Sequence, residues 1–303
     1  MIRIAVLMST YNGEKFLREQ IDSILSKIGD FTVDILIRDD GSSDNTTKIL
    51  NEYADRGLVK WYSGQNLGPA KSFIDLLYHV DAYDYYAFSD QDDVWQTDKL
   101  KCGVQMLEPI AQSIPALYCC NAAVVDVDLN VLKKRVREAS PIIDVKSILT
   151  GSTFFMGCSM LFNDALASIV RHHATPKIIS MHDTFILKTC VICGGKLIYD
   201  QRPHLLYRQH GRNVLGYSVV SSRKKGMRQI IYKSPVSIAD QSKEFLSLYG
   251  YLTSDEIREW LNRLCSYKKS FFRRASLFLS CQYHDDSIKY SVKHRLRILA
   301  GYM

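Results

Sequence analysis

Three carboxylates stand within four residues at Asp90-Gln91-Asp92-Asp93, directly after an apolar run at residues 85–88. Packed this closely, they repel one another unless a cation neutralises them. Mg2+ or Mn2+ is commonly held by one or two carboxylates, with phosphate oxygens and water completing the shell. An ion placed there could bridge two phosphates and stabilise a departing diphosphate. The plainer alternative is a solvated acidic turn ahead of the helix after Trp95. A second acidic cluster, Asp39-Asp40-Gly41, also follows an apolar run. An ionised carboxylate only accepts hydrogen bonds, so Asp40 suits the imide N–H of a uracil or thymine ring. Helix capping is its alternative, although Asp44 already suits that role. Ser9 and Tyr11 close a third apolar run. Tyr11 could stack on a base and Ser9 could bond to the base or ribose; ordinary turn chemistry before Asn12-Gly13 accounts for them equally. Lys71, in the stretch Asn66-Leu67-Gly68-Pro69-Ala70-Lys71, and the N–H groups of the helix it begins suit a nucleotide or its phosphates. A solvated lysine is the alternative.

The elements that must position these groups follow from hydrophobic patterning. Residues 2–8, 33–37, 59–62 and 85–88 are short apolar runs, as expected of strands buried on both faces. Between them Phe16, Leu17, Ile21, Ile24, Leu25 and Ile28, then Ile49, Leu50 and Tyr53, then Phe73, Ile74, Leu76 and Leu77, recur at helical spacing. Repeated strand–helix units with short turns predict an α/β fold, a mostly parallel central sheet flanked by helices. Ligands of such sheets bind beyond the carboxyl ends of the strands, where the three polar clusters lie. Further on, residues 116–127 predict a strand on the far side of the sheet, 153–162 an apolar stretch containing Gly157, and 164–172 and 181–193 helices. The small residues of 151–159 suit either substrate approach or core packing.

Read together, Ser9-Thr10-Tyr11-Asn12-Gly13, Arg38-Asp39-Asp40-Gly41-Ser42-Ser43-Asp44, Asn66-Leu67-Gly68 and Ser89-Asp90-Gln91-Asp92-Asp93-Val94-Trp95 resemble the family 2 glycosyltransferases of GT-A fold over residues 1–215. The Ser89–Trp95 string and the later Tyr207-Arg208-Gln209-His210-Gly211-Arg212-Asn213-Val214 are similar to the bacterial rhamnosyltransferase-like branch. The resemblance implies an inverting, metal-dependent transfer of a sugar, L-rhamnose from dTDP-L-rhamnose in the favoured case, to a saccharide or lipid-linked acceptor in bacterial surface polysaccharide synthesis. A UDP-hexose donor and a non-catalytic nucleotide-sugar binder are the alternatives. It further implies that Asp40, Ser9 and Tyr11 surround the pyrimidine, that Asp90 faces ribose or metal, and that Asp92 ligates Mg2+ or Mn2+. His210 completes metal or diphosphate binding, with a structural loop histidine as the alternative. Where the family carries a Glu-Asp pair at a helix start, this chain has His182-Asp183. Asp183 is then the general base: a carboxylate on a rigid helix start can take the proton of an acceptor hydroxyl. A first-turn acid favoured by the helix dipole is the plainer account.

The rest of the 303-residue chain bounds these expectations. Its net charge of +7 suits phosphate-bearing ligands or an anionic membrane surface, and no nucleic-acid-binding signature accompanies it. Eight cysteines in mostly apolar surroundings read as buried free thiols of a reducing compartment. The lone Cys190-x-x-Cys193 pair reads as part of a helix face. No run approaches the roughly 18 apolar residues of a membrane-spanning helix, and the amino terminus does not read as a signal peptide, so a cytoplasmic location is expected. The chain divides into a catalytic domain, 1–218, and a basic helical segment, 219–303. In the latter Arg223-Lys224-Lys225, Lys268-Lys269, Arg273-Arg274 and Lys293-His294-Arg295 interleave with Phe271, Phe272, Leu277, Phe278 and Leu279. Such helices either lie peripherally on the inner membrane face or pack on the catalytic domain with their lysines in water.

Overall fold

A computed structural model describes residues 1–26, 31–141, 143–151, 153, 155–210, 236–280 and 288–303, apart from the side chains of 288–291 and 293. The frame is a nine-stranded sheet in the order β3-β2-β1-β4-β8-β6-β9-β5, with β7 paired to β6. Strand β1 (Arg3–Thr10) lies inside it, parallel to β2 (Thr32–Asp39) on one side and β4 (Tyr85–Ser89) on the other; β3 (Lys60–Ser63) continues the parallel set beyond β2. The two-residue period of a strand sends alternate side chains to opposite faces. Ile4, Val6 and Met8 accordingly enter one core, together with residues of α1 (Leu17–Leu25), α2 (Thr46–Asp55) and α4 (Lys99–Leu107). Ala5 and Leu7 enter the other, with α3 (Gly68–His79), α6 (Asp164–Arg171) and α7 (His182–Ile192). The carboxyl ends Thr10, Asp39, Ser63 and Ser89 therefore finish along one rim of the sheet.

The second half of the sheet is mixed. β8 (Met160–Asn163) runs antiparallel to both β4 and β6 (Ala116–Val125), while β9 (Lys196–Arg208) runs parallel to β6. β5 (Val94–Trp95) then pairs antiparallel with the end of β9, Val94 opposite Leu206. This short ladder decides the site, because it draws the turn after β4 against the residues that follow Arg208. β7 (Val131–Lys133) completes the sheet, and α5 (Val145–Thr150) precedes β8. The apolar stretch 153–162 is not a single element: a 3-10 turn at Gly157–Ser159 precedes β8.

The expected helical extension is present as α8 (Ile238–Tyr249), α9 (Asp255–Ser266), α10 (Phe271–Ser280) and α11 (Ile288–Ala300). α8 docks on α7: Phe185 stacks on Phe245 at 5.4 Å between ring centres, and Lys188 Nζ donates to Gln241 Oε1 at 2.9 Å. Leu264, Tyr267, Leu277 and Ile298 continue the core that α3 and α7 begin. The division expected at 218/219, the Arg223-Lys224-Lys225 cluster and Cys281 lie outside the described residues. Among the described residues the other seven cysteines are free; Cys119, Cys120, Cys158 and Cys190 are buried as expected, while Cys102, Cys193 and Cys265 are half-buried. Cys190 lies in α7 with Cys193 at its end, both thiols pushed up by burial.

Candidate active site

The rim is stitched together by Gln91. Its Oε1 accepts from Thr10 Oγ1 at 2.5 Å and from Tyr11 N at 3.0 Å, and its Nε2 donates to Tyr11 O at 3.2 Å. The turn after β4 is thereby bolted to the end of β1. Gly13 leaves room for this junction: a Cβ there would displace the Gln91 and Thr10 side chains.

The carboxylates of the turn then separate by direction. Asp93 points inward: it is fully buried, and one oxygen accepts the Arg208 N–H at 3.1 Å while the other has no hydrogen-bond partner. Asp92 points across to the chain after β9, where its Oδ2 meets His210 Nε2 at 2.6 Å. Asp90, half-buried between them, has its carboxyl pushed up to about 7 by burial, then by the charges of Asp92 and Asp183. Burial and the charges of Asp92 and Asp90 hold Asp93 well above the ordinary carboxylate range too. Four carboxylates from two distant segments, Asp90, Asp92, Asp93 and Asp183, thus share one unfavourable field, and a cation would relieve it.

The frame that aims Asp92 is Arg208, whose role the sequence did not announce. Its guanidinium is buried, pairs with Glu19, donates from Nε to the Asp92 carbonyl at 2.9 Å and from Nη1 to the Val127 carbonyl at 2.5 Å, and lies 4.5 Å over the Phe16 ring. His210 also rests on Phe16, at 5.1 Å between ring centres. Residues 211–214 of the Tyr207–Val214 motif lie outside the described residues.

Asp183 occupies the first turn of α7. Its Oδ1 accepts the Thr184 N–H at 2.5 Å and the Thr184 hydroxyl at 3.2 Å. Burial pushes its carboxyl up to about 6, with the Thr184 and Gly157 hydrogen bonds opposing. The residue before it, His182, stacks on Phe73 at 3.9 Å and meets Phe88 edge-on at 5.1 Å. Burial drives its basicity down to about 3, so the ring is a neutral aromatic element of the core. A Cβ at Gly157 would run into that ring, so glycine there lets the 3-10 turn approach the helix start that carries Asp183.

The base-side residues are placed differently. Asp40 is buried and already engaged: Oδ1 pairs with the Arg38 guanidinium and accepts Leu67 N–H at 2.9 Å, and Oδ2 accepts Gly68 N–H at 2.9 Å. It organises the Asn66–Gly68 loop, and bonding to a base requires it to exchange one of these donors. Ser9 Oγ shares a hydrogen bond with Ser72 Oγ at 2.6 Å, which joins β1 to α3. Tyr11 is half exposed on the rim and Lys71 is exposed in the first turns of α3. The structure therefore gathers Asp90, Asp92, Asp183 and His210. Ser9, Tyr11, Asp40 and Lys71 belong to the β1–β2–α3 side.

The sequence and the fold have known counterparts. The model of the family described as "Glycosyl transferase family 2" matches residues 5–169, more than half of the chain. The chain belongs to this family. It is thus a glycosyltransferase, and its matched region carries β1 to β4 and the acidic turn. A dTDP-rhamnosyl transferase, RfbG, of Shigella flexneri is 28% identical over 260 residues, 78% of this chain and 86% of that protein. Among solved structures, S. aureus TarS 1-349 in complex with UDP-GlcNAc superposes with a TM-score of 0.56 at 14% identity, covering 99% of this chain and 91% of that one. The mannosyltransferase PcManGT of Pyrobaculum calidifontis, in complex with GDP-Man and Mn2+, gives 0.53 at 13% identity over 99% and 86%. These likenesses show the GT-A fold, as the resemblance implied.

Proposed function

We propose that the chain is an inverting, metal-dependent transferase that takes L-rhamnose from dTDP-L-rhamnose and adds it to a hydroxyl of a saccharide, carried on a lipid, in bacterial surface polysaccharide synthesis. The observation that carries this reading is the convergence on Asp90 of the charges of Asp92 and Asp183, with His210 bonded to Asp92. Carboxylate oxygens are donors that Mg2+ and Mn2+ accept, and the one imidazole beside them favours Mn2+ of the two. Asp90 and Asp93 cluster with Cys158, and burial and neighbouring carboxylates push both carboxyls up, so their ionised forms are disfavoured until a cation offsets them. When bound, such an ion supplies neutralisation of the leaving diphosphate. Asp92 and His210 would hold it, and Asp90 would face the ion or the ribose.

The chain's own groups do the rest. Asp183, fixed by Thr184 on the start of α7, accepts the proton of the acceptor hydroxyl. That oxygen bonds to the anomeric carbon from the face opposite the diphosphate as the bond to the diphosphate breaks, which inverts the centre. No separate acid is needed for a leaving group of this kind. Tyr11 and Ser9 flank the pyrimidine, Lys71 meets a phosphate, and Asp40 exchanges a loop amide for the ring N–H. The family relative named for dTDP-rhamnose supports the donor. A panel of dTDP-, UDP- and GDP-sugars, screened for Mn2+-dependent binding, tests the choice. The tightest binding is expected for dTDP-L-rhamnose; preference for a UDP-hexose would replace that donor.

The lipid-linked acceptor is consistent with the outer side of α10 and α11. Phe271, Phe272, Leu279, Val292 and Leu296 are exposed there, with Arg273 among them. Among the described residues no helix is long and apolar enough to cross a membrane, so contact with an anionic inner leaflet would be peripheral. Sedimentation with phosphatidylglycerol vesicles, lost in Phe272→Glu/Leu279→Glu, is the expected result; equal sedimentation of the double variant would remove this surface from the account.

A further inference from the structure

Where α4 meets β9, near the β5 edge of the sheet, three side chains of metal-ligand type meet without any role in transfer. Asp98 and Cys102 stand one helical turn apart at the start of α4, and His204 reaches them from β9. A carboxylate oxygen, the thiol sulfur and a ring nitrogen of the three lie within 4.8 Å of one another. His204 is buried, Asp98 is half exposed and Cys102 lies between the two. The group is therefore anchored on the inside and open on the outside.

We propose that Asp98, Cys102 and His204 bind a thiophilic divalent cation, Zn2+ by ligand chemistry, separate from the ion of the crevice. One sulfur, one imidazole and one carboxylate are ligands that zinc accepts, and three protein ligands leave its fourth position to water. The imidazole is already oriented for the task. His204 Nδ1 faces Asp98 Oδ1 at 2.8 Å, while Nε2 meets Asp200 Oδ2 at 3.1 Å on the other side of the ring. Asp200 is held in turn by Arg202 at 2.7 Å and by the Tyr118 hydroxyl at 3.2 Å. A metal-bound histidine characteristically donates its other N–H to such a fixed carboxylate. Tetrahedral ligation at about 2.0–2.1 Å places nitrogen and oxygen ligands about 3.3 Å apart, so Asp98 must move off the Nδ1 axis to admit the ion between them. The binding step exchanges protons for metal: the Cys102 thiol proton, and that of any protonated imidazole, leave as the cation enters.

The position gives the site a consequence. Asp98 follows Asp92 by six residues, and His204 precedes His210 by six. A cation shared by α4 and β9 would clamp together the two arms that deliver Asp92 and His210 to the crevice. The role is structural, and it depends on side chains that the transfer reading does not use.

Titration of the purified chain with Co2+ alone tests the proposal without any activity assay. A near-ultraviolet thiolate-to-Co2+ band saturating at one equivalent is expected; Cys158, which lies with Asp90 and Asp93, is the other thiol that could give one, so the same titration of Cys158→Ser should leave the band in place. The band should vanish in Cys102→Ser and persist in Asp92→Ala. Absence of a band at saturating Co2+, or a band that survives Cys102→Ser, would overturn the site. Should Cys102→Ser fold poorly, the unaltered protein serves: Zn2+ should slow alkylation of Cys102 by iodoacetamide at least tenfold, read by peptide mass mapping. An unchanged rate would refute it. Failure of the transferase reading would leave these results untouched.

Discussion

Replacing Asp92 with alanine should lower sugar transfer by at least about 10³-fold and remove the Mn2+ dependence of donor binding. Asp92 is the carboxylate that faces His210, and it is one of the two charges raising Asp90. Without it one fewer carboxylate remains for a cation that must neutralise a departing diphosphate. Charge stabilisation of that kind contributes several kcal/mol, and about 4 kcal/mol corresponds to about 10³ in rate. The fold should survive, because the Asp92 carbonyl, not its side chain, bonds to Arg208. Steady-state transfer, calorimetric donor binding with and without Mn2+, and far-ultraviolet circular dichroism separate these effects. Turnover within tenfold of the parent would place the ion elsewhere.

The second large effect is expected at Asp183. Asp183→Asn should reduce transfer by about 10²–10⁴-fold, the range that a positioned base contributes, while donor binding stays within twofold. The amide keeps an oxygen to accept from Thr184, so the helix start is preserved and only proton acceptance is lost. The pH dependence follows from the same carboxyl, raised to about 6 by burial. A base must be ionised, so transfer by the parent rises with pH through about 6 and is lost as pH falls below it. A nearby cation would move that limb to lower pH. The residual activity of Asp183→Asn should lack the limb altogether; a limb that persists in the variant would assign it to another group.

How much of this was legible depends on whether a cue is local. The four parallel strands were, because strands buried on both faces read as apolar runs that end in polar turns. The helix α7 was legible through its length alone, since it is buried on nearly every side and lacks a polar face. Strand β9 was not anticipated. It carries Pro203, Asp200 and two arginines, mixes buried and half-buried positions without strict alternation, and slips register against β6 around Asn121. With it went the β5–β9 pairing that brings His210 to Asp92.

The site shows the same division. Asp90, Asp92 and Asp183 could be picked out by charge and by the elements they end or begin. Gln91 and Arg208 could not, since their contacts reach across 80 and 116 residues and no periodicity encodes them. Arg38 and Asp40 were a missed local cue: two residues apart at a strand end, they share a face. The structure pairs them and gives Asp40 to the loop amides as well. His182, a departure from the acidic residue expected there, is explained by the aromatic pocket of Phe73 and Phe88 that it fills.

An anomalous-scattering map from a crystal grown with Mn2+ and thymidine diphosphate is the most direct measurement. A single strong peak is expected in the crevice, ligated by Asp92, His210 and diphosphate oxygens, with Asp183 across the space left for the sugar. A peak whose ligands exclude Asp92, or a diphosphate seated with no metal between it and Asp92, would contradict it.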